Sequence, residues 1–184
     1  MTYVVKVYDN SMYNDLSDLI LESSIDKKNE ASDNMRILFE TLSRFKLFNL
    51  VYDGNMPIAC GGTYISDFDP DFAFIGVRSY ILPEYKHKQI IRNYILTAHK
   101  QWAIDNTIKA IGVSFNEYNK NMIRFWDKAR LSITKQERLP QHLFYSNFNE
   151  VPFPLEIRNT KQYVAYEKLE NWEYDWKSLK WLGS

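Results

Sequence analysis

A single cysteine, Cys60, stands in a chain of 184 residues, so no internal disulfide can form. Met1 to Lys6 lacks the charged-then-apolar pattern of an export signal, and a reducing cytoplasm is the expected compartment. Cys60 lies in the apolar stretch Pro57–Ile65, where a thiol is expected to behave as a small buried hydrophobe and not as a nucleophile. No apolar run approaches the roughly 20 residues that a membrane-crossing helix needs, so no membrane is expected as a partner. Net charge is also missing: 23 basic residues balance 23 acidic ones. Without an overall field to gather nucleic acid or an anionic surface, any anion site must be local, and no nucleic acid is expected. His87, His99 and His142 are far apart and have no cysteine at ligand spacing, which argues against zinc or any other metal. Repeats, low-complexity segments and dividing linkers are absent too.

What is present is 45% hydrophobic and 16% aromatic residues, enough to bury the core of one ordinary-sized domain. Tyr3 to Tyr8 alternates as a short strand. Ser11 is a candidate cap for a helix with Met12, Leu16, Leu19 and Ile20 on one face. After a polar loop at 26–30, Ser32 opens a second helix, in which Met35, Leu38, Phe39, Leu42 and Phe45 form a stripe. Leu47–Tyr52 and Met56–Ile65 read as strands joined by Asp53-Gly54-Asn55, a strong hairpin signal. Phe72–Leu82 is a long strand, apolar on both faces apart from Arg78 and Ser79, which suits the middle of a sheet. A helix is expected over Lys86–Asp105, with Ile91, Tyr94, Ile95, Ala98 and Trp102 buried. The strand Ala110–Phe115 and an Asn119-capped helix carrying Met122, Phe125, Trp126 and Ala129 follow. Ser132–Thr134, Leu143–Phe148 and Gln162–Glu167 are further candidate strands. The aromatic tail over 169–184, with Trp172, Trp176 and Trp181, is expected to pack on the body or on a partner. The order implies a mixed α/β layer fold.

Two places carry chemistry. After the long strand comes Ile81-Leu82-Pro83, then Glu84-Tyr85-Lys86-His87-Lys88-Gln89-Ile90-Ile91-Arg92. Amides at a helix start point outward with the positive end of the helix dipole, so an anion neutralises both. Lys86, Lys88 and Arg92 add charge, and cations at that position otherwise oppose the dipole. Asn119 to Leu131 repeats the arrangement after the next strand, and Asn119 also suits a plain helix cap. Phe125 and Trp126 equally suit core packing.

This order and these two stretches resemble the GNAT superfamily of acyl-CoA-dependent N-acyltransferases, over roughly Tyr3–Glu167. The resemblance implies a GNAT-like mixed central sheet with helices on both faces, in a single domain over 1–168. It implies an acetyl-CoA-dependent N-acetyltransferase that moves an acyl group to an amine acceptor, small-molecule or peptide, with a homodimer left open. Ile81 and Leu82 would meet the pantetheine arm. Lys86, His87, Lys88, Gln89, Ile90, Ile91 and Arg92 would form the phosphate loop, and Asn119 and Trp126 would complete the acetyl-CoA contacts.

The departures are specific. Gln89 and Ile91 hold the two positions where the family carries glycine, and a β-carbon there keeps phosphate away from the amides. Trp126 replaces the tyrosine that protonates the leaving thiolate, and an indole supplies no proton. Phe72–Leu82 contains no acidic residue to serve as base; Asp69, Asp71 and Glu84 only flank it. No catalytic residue is assigned on this basis. The alternative reading is therefore a catalytically inactive GNAT-fold binding or scaffolding protein. Asp15, Asp18, Glu22, Asp26 and Glu30 on and between the first two helices favour a cationic amine as acceptor.

Overall fold

The computed structural model describes residues 3–23, 28–67, 69–116, 120, 142–148 and 160–173. Its strands are β1 (Val4–Val7), β2 (Leu47–Asp53), β3 (Met56–Ile65), β4 (Phe72–Ile81), β5 (Ala110–Asn116), β6 (His142–Phe148) and β7 (Thr160–Lys168). The helices are α1 (Tyr13–Ser23), α2 (Lys28–Thr41) and α3 (Thr97–Asp105). The sheet order is β1-β2-β3-β4-β5-β7-β6. β4 and β5 run parallel, while β1–β2, β2–β3, β5–β7 and β6–β7 are antiparallel. β4, apolar on both faces, is the fourth of the seven strands, as its composition predicts. The chain forms two compact units, Met1–Tyr64 with Ile75–Trp102, and Ile65–Phe74 with Ala103–Ser184.

In the first unit, β2 and β3 pair in register from Leu47↔Thr63 to Val51↔Ala59, then shift before the turn at Gly54-Asn55. Gly54 takes φ +61, which a tight hairpin requires and glycine accepts without strain. One sheet face carries Phe48, Leu50 and Tyr52 and shares a core with Leu16, Leu19 and Ile20 of α1 and Leu38 of α2. Full burial of each such aliphatic side chain is worth about 2 kcal/mol. Tyr52 donates its hydroxyl proton to Asp15 Oδ2 at 2.7 Å, tying α1 to that face. The opposite face carries Asn49 and Gly61. A β-carbon on Gly61 would stand 2.8 Å from Ile95 Cγ2, so Ile95 covers this face. Helices thus lie on both faces of the sheet.

Boundaries of the first two helices differ from the sequence expectation, and Phe45, expected in the stripe of the second, is extended and lies beyond its end at Thr41. Asp9, not Ser11, caps the first helical turn: its extended backbone lets its carboxylate accept from Ser11 N–H at 2.8 Å. α2 begins at Lys28, four residues before Ser32 and inside the stretch expected to be loop.

In the second unit, β5 pairs with β7 from Ala110↔Lys168 to Asn116↔Gln162, and β6 lies outside β7. The start of β4 joins β5 through Phe72↔Ala110, Ala73↔Ile111 and Phe74↔Gly112. Lys109 Nζ bonds Asp71 Oδ2 at 2.6 Å, and the Leu169 N–H returns to the Lys109 carbonyl at 2.8 Å. Trp172 is buried, with ring centroids 5.3 Å from both Phe72 and Tyr166. Its indole N–H donates to Asp69 Oδ2 at 2.9 Å. The expected helix from Asn119, the strand 132–134, and Trp176 and Trp181 lie outside the described residues.

Candidate cofactor-binding turn

β4 does not run out as a regular strand. Gly76 takes φ +65 and Arg78 φ +53, a left-handed conformation that costs a residue with a β-carbon. The Gly76 N–H, turned out of the ladder, donates to His99 Nδ1 at 3.1 Å, and Ser79 Oγ donates to the Gly76 carbonyl at 2.7 Å. A β-carbon on Gly76 would meet Leu96 Cδ2 at 2.6 Å, a second reason for glycine there.

The strand ends at Ile81, and the backbone of Leu82 after it stays extended (φ −60, ψ 140), as the residue before a proline must be. Its N–H returns to the Ile58 carbonyl at 3.0 Å. Pro83 then opens a short tight helix, Pro83–Lys88, whose fixed first φ costs it nothing. Tyr85 anchors that turn: its ring is buried and its hydroxyl donates to Asp53 Oδ2 at 2.8 Å. That hydrogen bond, aided by burial, pushes its pKa up to about 12, so the phenol keeps its proton. Lys88 Nζ sits 4.4 Å from the centre of the Tyr85 ring, a cation–π contact. With Tyr85 inward, Lys86, His87 and Lys88 face solvent.

Gln89 closes the turn in the left-handed conformation, φ 55 and ψ 30. Here the structure corrects the helix expected from Lys86: the chain breaks at Gln89 and a new helix starts after it. Asn93 N–H bonds the Gln89 carbonyl at 2.9 Å, which makes Ile90, Ile91 and Arg92 the first turn, with amides directed outward along the axis. Ile91–Leu96 is then wound as a π-helix before α3, and Thr97 Oγ1 reaches back five residues to the Arg92 carbonyl at 3.1 Å.

The extra residue in that turn rotates the buried row. Ile90, Ile95, His99 and Ala103 are buried, spaced five, four and four. The row expected from ordinary periodicity is only half-buried at Ile91, Tyr94, Ala98 and Trp102. Of the sequence-selected residues, Leu82 and Ile90 turn their side chains into the core. The Leu82 N–H is bonded to the Ile58 carbonyl and its carbonyl accepts from the Tyr85 N–H at 2.9 Å, so the backbone left for a ligand is that of Ile90. Ile81 and Ile91 are half-buried and pack against that core. Gln89 and Arg92 are exposed alongside the Lys86–Lys88 cluster. Asn119 and Trp126 lie outside the described residues.

Three features of β4 and its surroundings stand outside the site residues selected from the sequence, where Tyr80 is notable, with Ser79, only as a polar uncharged residue of the strand's second half. Tyr80 is held with its pKa raised by burial, against the pull of the Arg78 side chain that hydrogen-bonds it. His99 is fully buried beside the Gly76 turn, and burial lowers its pKa to about 4. The reversal at Gly76–Arg78 is the third. Cys60 is buried and burial pushes its thiol up to about 12, so it carries no thiolate at neutral pH. Among the described residues, no three histidine, cysteine, aspartate or glutamate side chains gather to hold a metal, and no helix is long and apolar enough to cross a membrane.

No family model and no curated protein matches the sequence. Solved structures do match. An acetyltransferase of the GNAT family from Staphylococcus aureus aligns with TM-score 0.59 at 13% identity, over 92% of this chain and 100% of that one. The PaiA N-acetyltransferase from Thermoplasma acidophilum, solved in complex with coenzyme A, aligns with TM-score 0.58 at 14% identity, over 91% and 99% of the two chains. The chain has the GNAT fold. An acetyltransferase from Streptococcus agalactiae gives TM-score 0.55 at 16% identity, over 89% and 97%. At such identities the likeness establishes the GNAT fold and leaves activity to the residues.

Proposed function

We propose that the protein is an N-acyltransferase that moves an acyl group, acetyl in the simplest case, from acyl-CoA to an amine acceptor. The observation that carries this reading is the backbone at Gln89. A glutamine holds the left-handed conformation that glycine takes without strain. It thereby turns the amides of Ile90–Arg92 outward beside Lys86, His87, Lys88 and Arg92. This is an anion-binding arrangement built into a GNAT fold. Ile91 packs inward, which lessens the obstruction that a side chain at the second glycine position creates.

The chemistry asked of the protein is modest. A neutral amine attacks the thioester carbonyl carbon, the C–S bond breaks, and the amine's proton leaves with the thiolate as thiol. Most of the acceleration comes from holding both reactants in line. Tyr80 keeps its proton and has the Arg78 side chain on its hydroxyl, so it is the β4 side chain best suited to supply a proton to the leaving sulfur. The acidic residues of α1, Asp15, Asp18 and Glu22, favour a cationic amine. A second reading, a GNAT-fold binding protein without catalysis, is favoured by the absence of a carboxylate on β4.

Titration calorimetry with acetyl-CoA, CoA and dephospho-CoA tests the donor site. Binding of all three, tightened by Gln89→Gly with Ile91→Gly, is the expected result. No heat at millimolar ligand ends the transferase reading. Thiol release from acetyl-CoA in the presence of polyamines and basic peptides separates the two readings: binding without release leaves only the binding protein.

A further inference from the structure

Among the described residues, three buried polar atoms in the first unit have no partner in hydrogen-bond geometry: Asn49 Oδ1, Thr63 Oγ1 and His99 Nε2. Their residues are 3%, 0% and 0% exposed, so solvent does not reach them from outside. A buried polar atom without a partner loses its hydration and gains nothing, and native folds seldom leave three together.

The three share one place. Asn49 stands directly opposite Gly61 in the β2–β3 register, and Thr63 is two residues along the same strand, hence on the same face. Ile95 covers that face at Gly61, and His99 follows Ile95 by one helical turn. The Gly61 backbone lies beside the imidazole, outside good hydrogen-bond geometry with Nε2. The orientation of Asn49 is fixed, because its Nδ2 donates to the Lys6 carbonyl at 3.3 Å and its Oδ1 therefore points elsewhere. The tautomer of His99 is fixed as well. Nδ1 accepts from the Gly76 N–H, so the neutral ring carries its proton on Nε2.

Its unpartnered groups are thus one N–H donor, one amide oxygen that only accepts, and one hydroxyl that does either; the Ser79 hydroxyl, which also stands over Gly61, already donates to the Gly76 carbonyl. A cation meets the imidazole N–H and an anion meets the amide oxygen, so both are disfavoured. A water molecule both accepts and donates, and matches all three. We propose that Asn49 Oδ1, Thr63 Oγ1 and His99 Nε2 bind a single internal water, which accepts from His99 Nε2–H, donates to Asn49 Oδ1 and takes its third bond from Thr63. Three partners is the usual number for a buried structural water. The consequence is a continuous chain of hydrogen bonds from the Lys6 carbonyl through Asn49, the water and His99 to the Gly76 N–H. His99 becomes the positioning residue for the β4 reversal. This inference is independent of the proposed transferase activity.

Two measurements on the full chain test it. Long-range proton–nitrogen correlation on isotope-labelled histidine at neutral pH should find His99 protonated on Nε2. A crystal structure at a resolution that shows ordered solvent should place one density peak within hydrogen-bond reach of all three atoms. Water-oxygen relaxation dispersion should then lose one long-lived water in Asn49→Leu. A proton on Nδ1 overturns the proposal, as does a crystal in which Thr63 Oγ1 bonds Asn49 Oδ1 directly with no water between. An Asn49→Leu protein that folds and keeps its full count of long-lived waters overturns it too. Should that variant not fold, the tautomer and the density of the unchanged protein decide.

Discussion

His99 holds its imidazole where no solvent reaches, so its proton balance enters the stability of the fold. Burial lowers its pKa from 6.5 to about 4. Between those values the unfolded chain takes up a proton that the folded chain refuses. The stabilisation is therefore complete above about pH 6.5 and is lost as the pH falls toward 4. The gap corresponds to about 3 kcal/mol. Denaturant unfolding of the protein and of His99→Gln should differ by that much less at the acid end of the range than at neutral pH. Parallel curves would mean that the ring titrates as it does in water. Single residues were unevenly legible in the sequence. Cys60 reads as buried because its neighbours are apolar, and it is. His99 does not, because histidine carries no burial signal of its own and the row it belongs to is displaced by the π turn.

That displacement belongs to the elements. β3 falls at the residues expected of it, since the Asp53-Gly54-Asn55 turn fixes where the strand begins. The helix after β4 was misread at its start because charge and periodicity both run through Gln89 without marking a break. Five residues separate Ile90 from Ile95, a spacing that a period of 3.6 assigns to different faces. Yet the phosphate-loop pattern did single out Gln89 as standing in a glycine's place, and its backbone has a glycine's φ. Gln89→Gly should therefore stabilise the fold by about 1 kcal/mol through relief of the left-handed backbone, seen as a higher urea midpoint at unchanged slope. A lower midpoint would show that the glutamine side chain makes a contact worth more than the strain.

At the scale of the whole molecule, the order of elements and the length of β4 were enough for the fold class, because a strand apolar on both faces has few places to go. The two units were not legible: each draws on segments far apart in sequence, and no change of composition marks their limits. In the second unit, Trp172 is the closing piece. Trp172→Ala should cost about 3–5 kcal/mol through the cavity beside Phe72 and Tyr166. Trp172→Phe, which keeps most of the packing and drops the bond to Asp69, should cost about 1 kcal/mol. Thermal unfolding of both variants checks the ranking; equal losses would show that the bond, not the ring, holds the tail. Asp69 and Trp172 are separated by 103 positions. On a ribosome adding roughly 5–20 residues per second, the aromatic face of Phe72 is made about 5 to 20 seconds before the tryptophan that shields it. The nascent chain thus presents a sticky ring through most of its own synthesis, a natural point of capture for a chaperone.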